Sequence, residues 1–222
     1  MKFKKHILIL TFIFTFLLFY KVDAKINELP LLGKLIYIDP GHGGRDPGAI
    51  YMDIYESPIN LEISKILMEK LEKMGAIVYL TRTGEYDISN PNAWNKKHSD
   101  LQNRVNLIEN SKADLYLSIH LNADTSNKWK GAQVFYDDIN PKNKILAETL
   151  QTSFKKNLNS KRTIKEISTY YMYRRIKNVP GALVEVGFLT NANERYLLRQ
   201  NSYQKKVCDA IIEGIINFYK QK

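Results

Sequence analysis

LIYIDPGHGG, residues 35 to 44, is an apolar, β-rich run that ends in a loop of three glycines, one proline and one histidine. The apolar half predicts a buried strand over Leu35 to Asp39, and the glycines predict a loop that lets a ligand approach the main chain. In an open α/β sheet, the carboxyl ends of the strands border the crevice where ligands bind. His42, in this loop, is therefore a candidate functional residue.

The rest of the chain repeats this alternation of short β-rich runs and longer amphipathic runs. The pattern predicts an α/β fold, a single domain with a twisted, mixed central sheet flanked by helices. The first helix is predicted to begin with Ser57 as N-cap and Pro58 at its first position, and to stop at Gly75. The polar stretch from Gly84 to Ser99 predicts a loop. Further strands are predicted at residues 76–81, 115–120, 132–136 and 182–186, and further helices at 100–110, 143–157, 193–198 and 203–219.

Residues 1 to 24 have the organisation of an export signal. A basic start is followed by the apolar run from Ile7 to Tyr20, which is shorter than the ~18–20 residues that span a bilayer as a helix. Val22 and Ala24 form a small-residue cleavage pattern. We expect this segment to be a signal peptide or, if uncleaved, a membrane anchor, and residues 25–222 to form the exported domain.

The composition fits one globular domain, with 222 residues of which 44% are hydrophobic. Removing residues 1 to 24 takes away four lysines and one aspartate, which leaves 29 of the 33 basic and 22 of the 23 acidic residues. An exported basic domain meets anionic wall polymers and membrane surfaces, and its cations are not clustered in a nucleic-acid-binding motif. The single cysteine, Cys208, cannot form an intrachain disulfide and follows the helical spacing of core residues.

A second histidine and a carboxylate share the setting of His42. His120 closes the apolar run LYLSIH, so it also lies at the carboxyl end of a strand. Glu56 lies at the mouth of the first long helix, where the helix dipole alone would favour a carboxylate; that is the competing interpretation. Two imidazoles and one carboxylate leave a fourth tetrahedral position open on a single Zn²⁺ ion, where water becomes nucleophilic near neutral pH. We therefore predict one zinc ion bound by these three residues.

Glu185 interrupts the apolar run PGALVEVGF. A carboxylate inside such a run is costly unless it has a cation or a metal as partner, so Glu185 is either a buried ion-pair partner or functional. Strand alternation places it on the face opposite Val184 and Val186. Its functional role would be that of a base that takes a proton from the zinc-activated water.

Four segments together resemble those of a known enzyme family. They are IYIDPGHGGRDPGA, YES ahead of a helix, ADLYLSIHLNAD and GALVEVGFLTN. They resemble the sequence blocks of the zinc-dependent N-acetylmuramoyl-L-alanine amidases of the Amidase_3 type, over about residues 34 to 220. The stretches LQNRVNLIENSKADLYLSIHLNA and KWKGAQVFYDD are similar to the members of this family that act on spore cortex for germination.

The resemblance implies a hydrolase that removes the stem peptide from muramic acid in peptidoglycan, a step toward the muramic δ-lactam of cortex. It implies that His42, Glu56 and His120 bind zinc and that Glu185 is the catalytic glutamate, in agreement with the ligand chemistry above. The product would arise in the cell wall or in the space between the spore membranes.

Further expectations concern the substrate and the partners. Arg45 and Asn122 flank two of the ligands, so they are candidate contacts to the glycan or the peptide, or supports of the ligands themselves. An exported protein that loads the metal or activates the site is a candidate partner. Some members of the family carry an inhibitory helix before the second histidine; here the interval after Arg82 is short and polar and predicts none.

Two other functions would use the same fold. A non-catalytic wall-binding module has no need of an open metal site with a base beside it. A zinc peptidase acting on stem peptides would use identical metal chemistry, and only the family resemblance disfavours it. The bond that is cleaved distinguishes these alternatives.

Overall fold

The structure is a computed structural model that describes residues 29 to 221. The predicted export segment, residues 1 to 24, lies outside these residues, and the division of the chain at residue 24 stays a prediction. None of the helices within the described residues is long and apolar enough to cross a membrane.

A six-stranded mixed sheet forms the centre of the domain. Four of its strands are parallel, the fifth runs antiparallel to them, and the sixth is parallel to the fifth. A separate two-stranded hairpin precedes the first helix. This arrangement confirms the predicted α/β fold with a mixed sheet. The strands are β1 (Leu35–Pro40), β2 (Ile50–Tyr51), β3 (Ile54–Tyr55), β4 (Ile77–Leu80), β5 (Leu115–Asn122), β6 (Gln133–Tyr136), β7 (Lys165–Glu166) and β8 (Gly181–Phe188), and the sheet order is β4-β1-β5-β8-β6-β7.

Helices cover both faces of the sheet. Three of them, α1, α3 and α5, pack with the first face into the main core, and α2 covers the other face together with residues 167–179. The helices are α1 (Glu56–Lys73), α2 (Lys96–Glu109), α3 (Pro141–Leu158), α4 (Ala192–Leu198) and α5 (Asn201–Lys220), with a 3-10 turn at Tyr173–Arg175.

Alternation along the strands decides which side chains reach which face. In β8, Val184 and Val186 belong to the main core, whereas Leu183 belongs to the cluster under α2. Since successive side chains of a strand point to opposite faces, Glu185 points to the α2 face, as predicted. His120 likewise lies between Ile119 and Leu121 of the main core, so both side chains are on the α2 side of the sheet.

The starts of the first two helices differ from the predictions. The N-cap predicted at Ser57 is wrong, because α1 already begins at Glu56 and the Ser57 hydroxyl is used elsewhere: it donates to Glu85 Oε2 at 2.8 Å. Helix α2 begins at Lys96, four residues early, because the Asn95 side chain accepts a hydrogen bond from a backbone N–H of the first turn. The end of the predicted loop at residues 84–99 is thus helical.

Two small residues of α5 pack closely inside the domain. Cys208 is fully buried on α5, which confirms the predicted core position. Gly214, on the same helix, lies where α5 crosses α3, and a Cβ added there would be 2.8 Å from the Cα of Leu150. The two helices are therefore in contact through backbone rather than through side chains alone.

Candidate metal centre

Three predicted ligands meet at the carboxyl end of the parallel strands. His42 follows β1, Glu56 is the first residue of α1, and His120 lies near the end of β5. Glu56 Oε1 is 3.3 Å from His42 Nε2 and 3.0 Å from His120 Nδ1. One donor atom from each residue lies within 4.8 Å of the others, a cluster that could hold a metal ion.

Glu56 is the fixed centre of this cluster. It is buried, and its two oxygens also accept hydrogen bonds from the backbone N–H groups of Ala49 at 2.8 Å and Leu121 at 3.0 Å. Burial alone would raise the pKa of Glu56, but the hydrogen bonds to His120 and His42 outweigh burial and hold the pKa well below its usual range. The side chain is therefore an anion that is ready to bind a cation.

The glycines around His42 make room for the ligands themselves. A Cβ added at Gly41 would lie 2.2 Å from Cε1 of His120, so the imidazole ring rests directly on the backbone of Gly41. A Cβ at Gly48 would lie 2.6 Å from Glu56 Oε2 and 2.7 Å from His42 Cδ2. The absence of side chains at these two positions is what lets the cluster be this compact.

His42 has an acidic partner that the sequence analysis missed. Its Nδ1 lies 3.1 Å from Asp46 Oδ2, four residues further on. Burial alone would lower the pKa of His42, but hydrogen bonds to Asp46 and Glu56 outweigh burial and raise the pKa to about 9. A carboxylate on one ring nitrogen fixes the tautomer and leaves the other nitrogen to face a metal ion, as carboxylates that support histidine ligands do at zinc sites. The spacing of a histidine and an aspartate within one glycine-rich loop was the available signal.

Glu185 lies beside the cluster without a cation. It is opposite His120 in the pairing of β5 with β8. Its Oε2 is buried and lacks a hydrogen-bond partner, and no cationic side chain within residues 29 to 221 forms an ion pair with it. Burial and then repulsion by Glu56 raise the pKa of Glu185 to about 8, against a weaker attraction by His42. The ion-pair interpretation of Glu185 therefore finds no partner within the described residues, and the functional interpretation stays a prediction.

The cluster and Glu185 lie in a cleft of about 950 Å³. Arg45 and Asn122 both line this cleft, in agreement with their predicted position beside the ligands. The tyrosine-rich segment 169–173 also lines the cleft. Tyr171 is fixed there by its hydroxyl, which donates to Gln102 of α2 at 2.5 Å. The cleft is large enough for a sugar with part of a peptide.

Two buried arginines lie behind the ligand loop, and the sequence analysis gave neither of them a role. Arg82 follows β4 and Arg104 lies on α2, and both are almost inaccessible to solvent. A usable signal existed for Arg104, which lies on the apolar stripe of α2 between Leu101 and Ile108. For Arg82 the sequence offered none.

The sequence matches a known protein family and its characterised members. Residues 36–217 match the model of the family Amidase_3, N-acetylmuramoyl-L-alanine amidase. The chain is 40% identical over 219 residues to the germination-specific N-acetylmuramoyl-L-alanine amidase of Bacillus subtilis, covering 97% of this chain and 92% of that one.

Solved structures give the same result. The CwlD amidase of Clostridioides difficile, solved in complex with the GerS lipoprotein, matches with a TM-score of 0.81 and 35% identity, covering 86% of this chain and 100% of that chain. The catalytic domain of CwlV, an N-acetylmuramoyl-L-alanine amidase from Bacillus (Paenibacillus) polymyxa var. colistinus, matches with a TM-score of 0.73 and 27% identity, covering 85% and 99% of the two chains.

Proposed function

The chain belongs to the N-acetylmuramoyl-L-alanine amidase family, and on this premise we propose that it is a zinc enzyme that removes stem peptides from peptidoglycan. The bond cleaved is the amide between the lactyl group of N-acetylmuramic acid and L-alanine. The observation that carries the proposal is one cleft that holds both the three-donor cluster and Glu185, whose Oε2 is buried without a hydrogen-bond partner among the described residues.

The donor set fits a catalytic zinc ion. His42, Glu56 and His120 supply two imidazoles and one carboxylate, which is a common set for sites that keep a fourth position for water or substrate. A structural zinc site would more often use thiolates, and the single cysteine lies in the core on α5. When bound, zinc would polarise the scissile carbonyl and lower the pKa of water.

Glu185 is the base in this proposal. Its carboxylate takes the proton of the attacking water and returns a proton to the departing nitrogen of alanine. Burial raises the pKa of Glu185 while the site holds no ion, and the charge of a bound zinc ion would lower this pKa again, toward the range in which the carboxylate accepts a proton near neutral pH. Asp46 holds the His42 ring, and Arg45 and Asn122 contact the glycan or the peptide from the rim of the cleft.

The biological setting follows from similarity to the germination-specific amidase of Bacillus subtilis. We place the reaction in spore cortex, where peptide-free muramic acid is the precursor of the muramic δ-lactam. The leader at residues 1–24 carries residues 25–222 across the cytoplasmic membrane and is either cleaved or kept as an anchor. The substrate is then reached in the wall or between the spore membranes.

An exported lipoprotein is the partner that the comparisons favour. The CwlD amidase of Clostridioides difficile was solved in complex with the GerS lipoprotein, and this chain shares its fold and 35% of its sequence. In our proposal, such a partner loads the metal or activates the site. Full zinc occupancy and full activity of the lone chain, running as a monomer in gel filtration, would contradict this part.

Product mapping tests the activity itself. Purified protein with zinc is incubated with peptidoglycan sacculi, and mass spectrometry is expected to find peptides with free N-terminal L-alanine beside peptide-free muramic acid. Cleavage within the stem peptide would instead identify a peptidase. The matched control is Glu185→Gln, which is expected to keep one zinc per chain and lose about 10²- to 10⁴-fold in kcat. A wild-type kcat in this variant would contradict the assignment of Glu185 as the base.

A further inference from the structure

We propose that Arg82 and Arg104 are positioning residues that hold the His42 loop in its metal-binding shape before the ion arrives. The inference deepens the proposed function, because it rests on the same metal site. It assigns the rigidity of the glycine-rich loop to two buried guanidinium groups rather than to the ion.

The two arginines bind three successive carbonyls of the loop. Arg82 donates from Nε to Pro40 O and from Nη2 to Gly41 O, both at 3.0 Å. Arg104 donates from Nη1 to Pro40 O at 2.9 Å and from Nη2 to His42 O at 2.6 Å. Every carbonyl from residue 40 to 42 therefore has a charged donor. Such bonds are about twice as strong as neutral ones.

Arg82 also connects this loop to the helix that carries Glu56. Its Nη2 donates to Ser57 O at 3.0 Å and approaches Ser57 Oγ at 3.1 Å. Glu85 pairs with the far side of the guanidinium at 3.0 Å. One planar group thus fixes the distance between the loop of the first ligand, His42, and the first turn of α1.

Arg104 connects the loop to the strand of the third ligand. It pairs with Asp39 and with Asp100, both at 2.7 Å. The second oxygen of Asp39 accepts a hydrogen bond from Ser118 Oγ at 2.6 Å. Ser118 lies on β5, two residues before His120. The three ligand-bearing elements are therefore joined by side chains that lie outside the ligand cluster.

The burial of these groups calls for a functional reason. The Arg82 side chain is 0% exposed and the Arg104 side chain 2%. Apolar residues of similar volume often stabilise a fold as well as a buried ion pair does, so stability alone does not explain two buried arginines. The loop needs outside support, since His42 has a φ of 63°, a left-handed conformation that is unfavourable for a residue with a Cβ.

The test uses Arg82→Lys and Arg104→Lys, which keep the positive charge but lose the fork that spans two carbonyls. Zinc affinity is measured by competition with a chromophoric chelator, and the fold by circular dichroism. Each variant is expected to fold and to bind zinc about 10-fold or more weakly, the size of effect typical of groups that orient ligands. The matched control is Arg162→Lys; Arg162 packs on the rings of Trp129 and Phe188, away from the loop. Equal affinity in all three variants and the wild type would overturn the proposal.

Hydrogen exchange of the metal-free wild type gives a second test that needs no variant to fold. The N–H of Gly41 donates to Ile119 O at 2.9 Å and that of Gly43 to Asp46 O at 2.8 Å. Both amides are expected to exchange slowly without zinc and no more slowly with it. Fast exchange that zinc alone suppresses would show that the ion orders the loop, and would overturn the proposal. If the wild type binds no zinc, the proposed function fails, while the exchange rates still show whether the loop is ordered without an ion; faster exchange of these amides in Arg82→Lys and Arg104→Lys is then expected, and unchanged exchange in both variants would overturn the proposal.

Discussion

Replacing Gly41 by alanine is expected to weaken metal binding strongly while leaving the fold intact. The new Cβ would lie 2.2 Å from Cε1, 2.3 Å from Nε2 and 2.6 Å from Nδ1 of His120. Gly41 is not among the residues with positive φ, so alanine can adopt its backbone without strain. The clash therefore falls on one imidazole ring, which can swing toward the cleft and leaves the fold intact, although the ring gives up its 3.0 Å contact with Glu56.

The ring must move by about 1 Å or more to restore ordinary contacts, whereas zinc accepts a nitrogen at about 2.0–2.1 Å. We take the loss of zinc affinity to be about 100-fold, the upper end of what ligand-orienting groups contribute. At a zinc concentration of about 100 times the wild-type Kd, binding stabilises the wild type by ~2.7 kcal/mol and the variant by only ~0.4 kcal/mol. For a domain of this size, zinc should raise Tm by about 5–11 °C in the wild type and by about 1–2 °C in the variant.

Thermal unfolding with and without zinc measures both quantities in one series. Gly33→Ala is the matched control, because Gly33 has a φ of 74° and open space around its Cβ position. That control should lose about 1–2 kcal/mol to backbone strain but keep the full response to zinc. If Gly41→Ala keeps the wild-type response, then either His120 does not bind the ion or its ring does not rest on the loop.

Three further predictions concern the core and the buried ion pair. Gly214→Ala should destabilise the protein by about 1–3 kcal/mol in urea unfolding, because its Cβ would overlap Leu150 at the α3–α5 crossing; unchanged stability would contradict that contact. Burial raises the pKa of Cys208 to about 12, so a thiol reagent at pH 8 should label the chain only after unfolding; rapid labelling of the folded protein would show that the core is open. Burial alone would raise the pKa of Asp39, but Arg104 and two hydroxyl donors outweigh burial and hold the pKa below its usual value of about 3.9. The stabilisation is therefore fully present above about pH 4 and is lost as pH falls from there to the lowered pKa of the folded protein. The difference in unfolding free energy between wild type and Asp39→Asn should be about 3–5 kcal/mol near pH 7 and shrink below about pH 4; a constant difference would refute this pairing.

The sequence was informative wherever a single element decides the position of a side chain. The apolar runs predicted every long strand, and the rule that ligands gather at the carboxyl ends of parallel strands placed His42 and His120 at one edge. Alternation in β8 set the face of Glu185. These inferences need only the period of a strand, which one short segment contains.

Features that depend on two distant segments escaped prediction. Ser57 was expected to cap α1, but its hydroxyl accepts a hydrogen bond from Arg82 and donates one to Glu85. Both partners come from the segment after β4. Charged residues are by default assigned to the surface, since burial of an arginine is favourable only when several partners surround it. Those partners, such as the Pro40 carbonyl and Asp39 for Arg104, lie more than 60 positions away in the chain.

The distance along the chain between the ligands has a consequence for when the ion can bind. His120 lies 64 positions after Glu56, and Asp39 meets Ser118 across 79 positions. Such long-range parallel pairing is slow to form, because the entropy of closing the loops is lost before the contacts are gained. The three ligands come together only once β1 has paired with β5, so the ion can bind only after this long-range contact has formed. A chain that is exported unfolded would therefore acquire its metal from the compartment in which it acts, and not from the cytoplasm in which it is made.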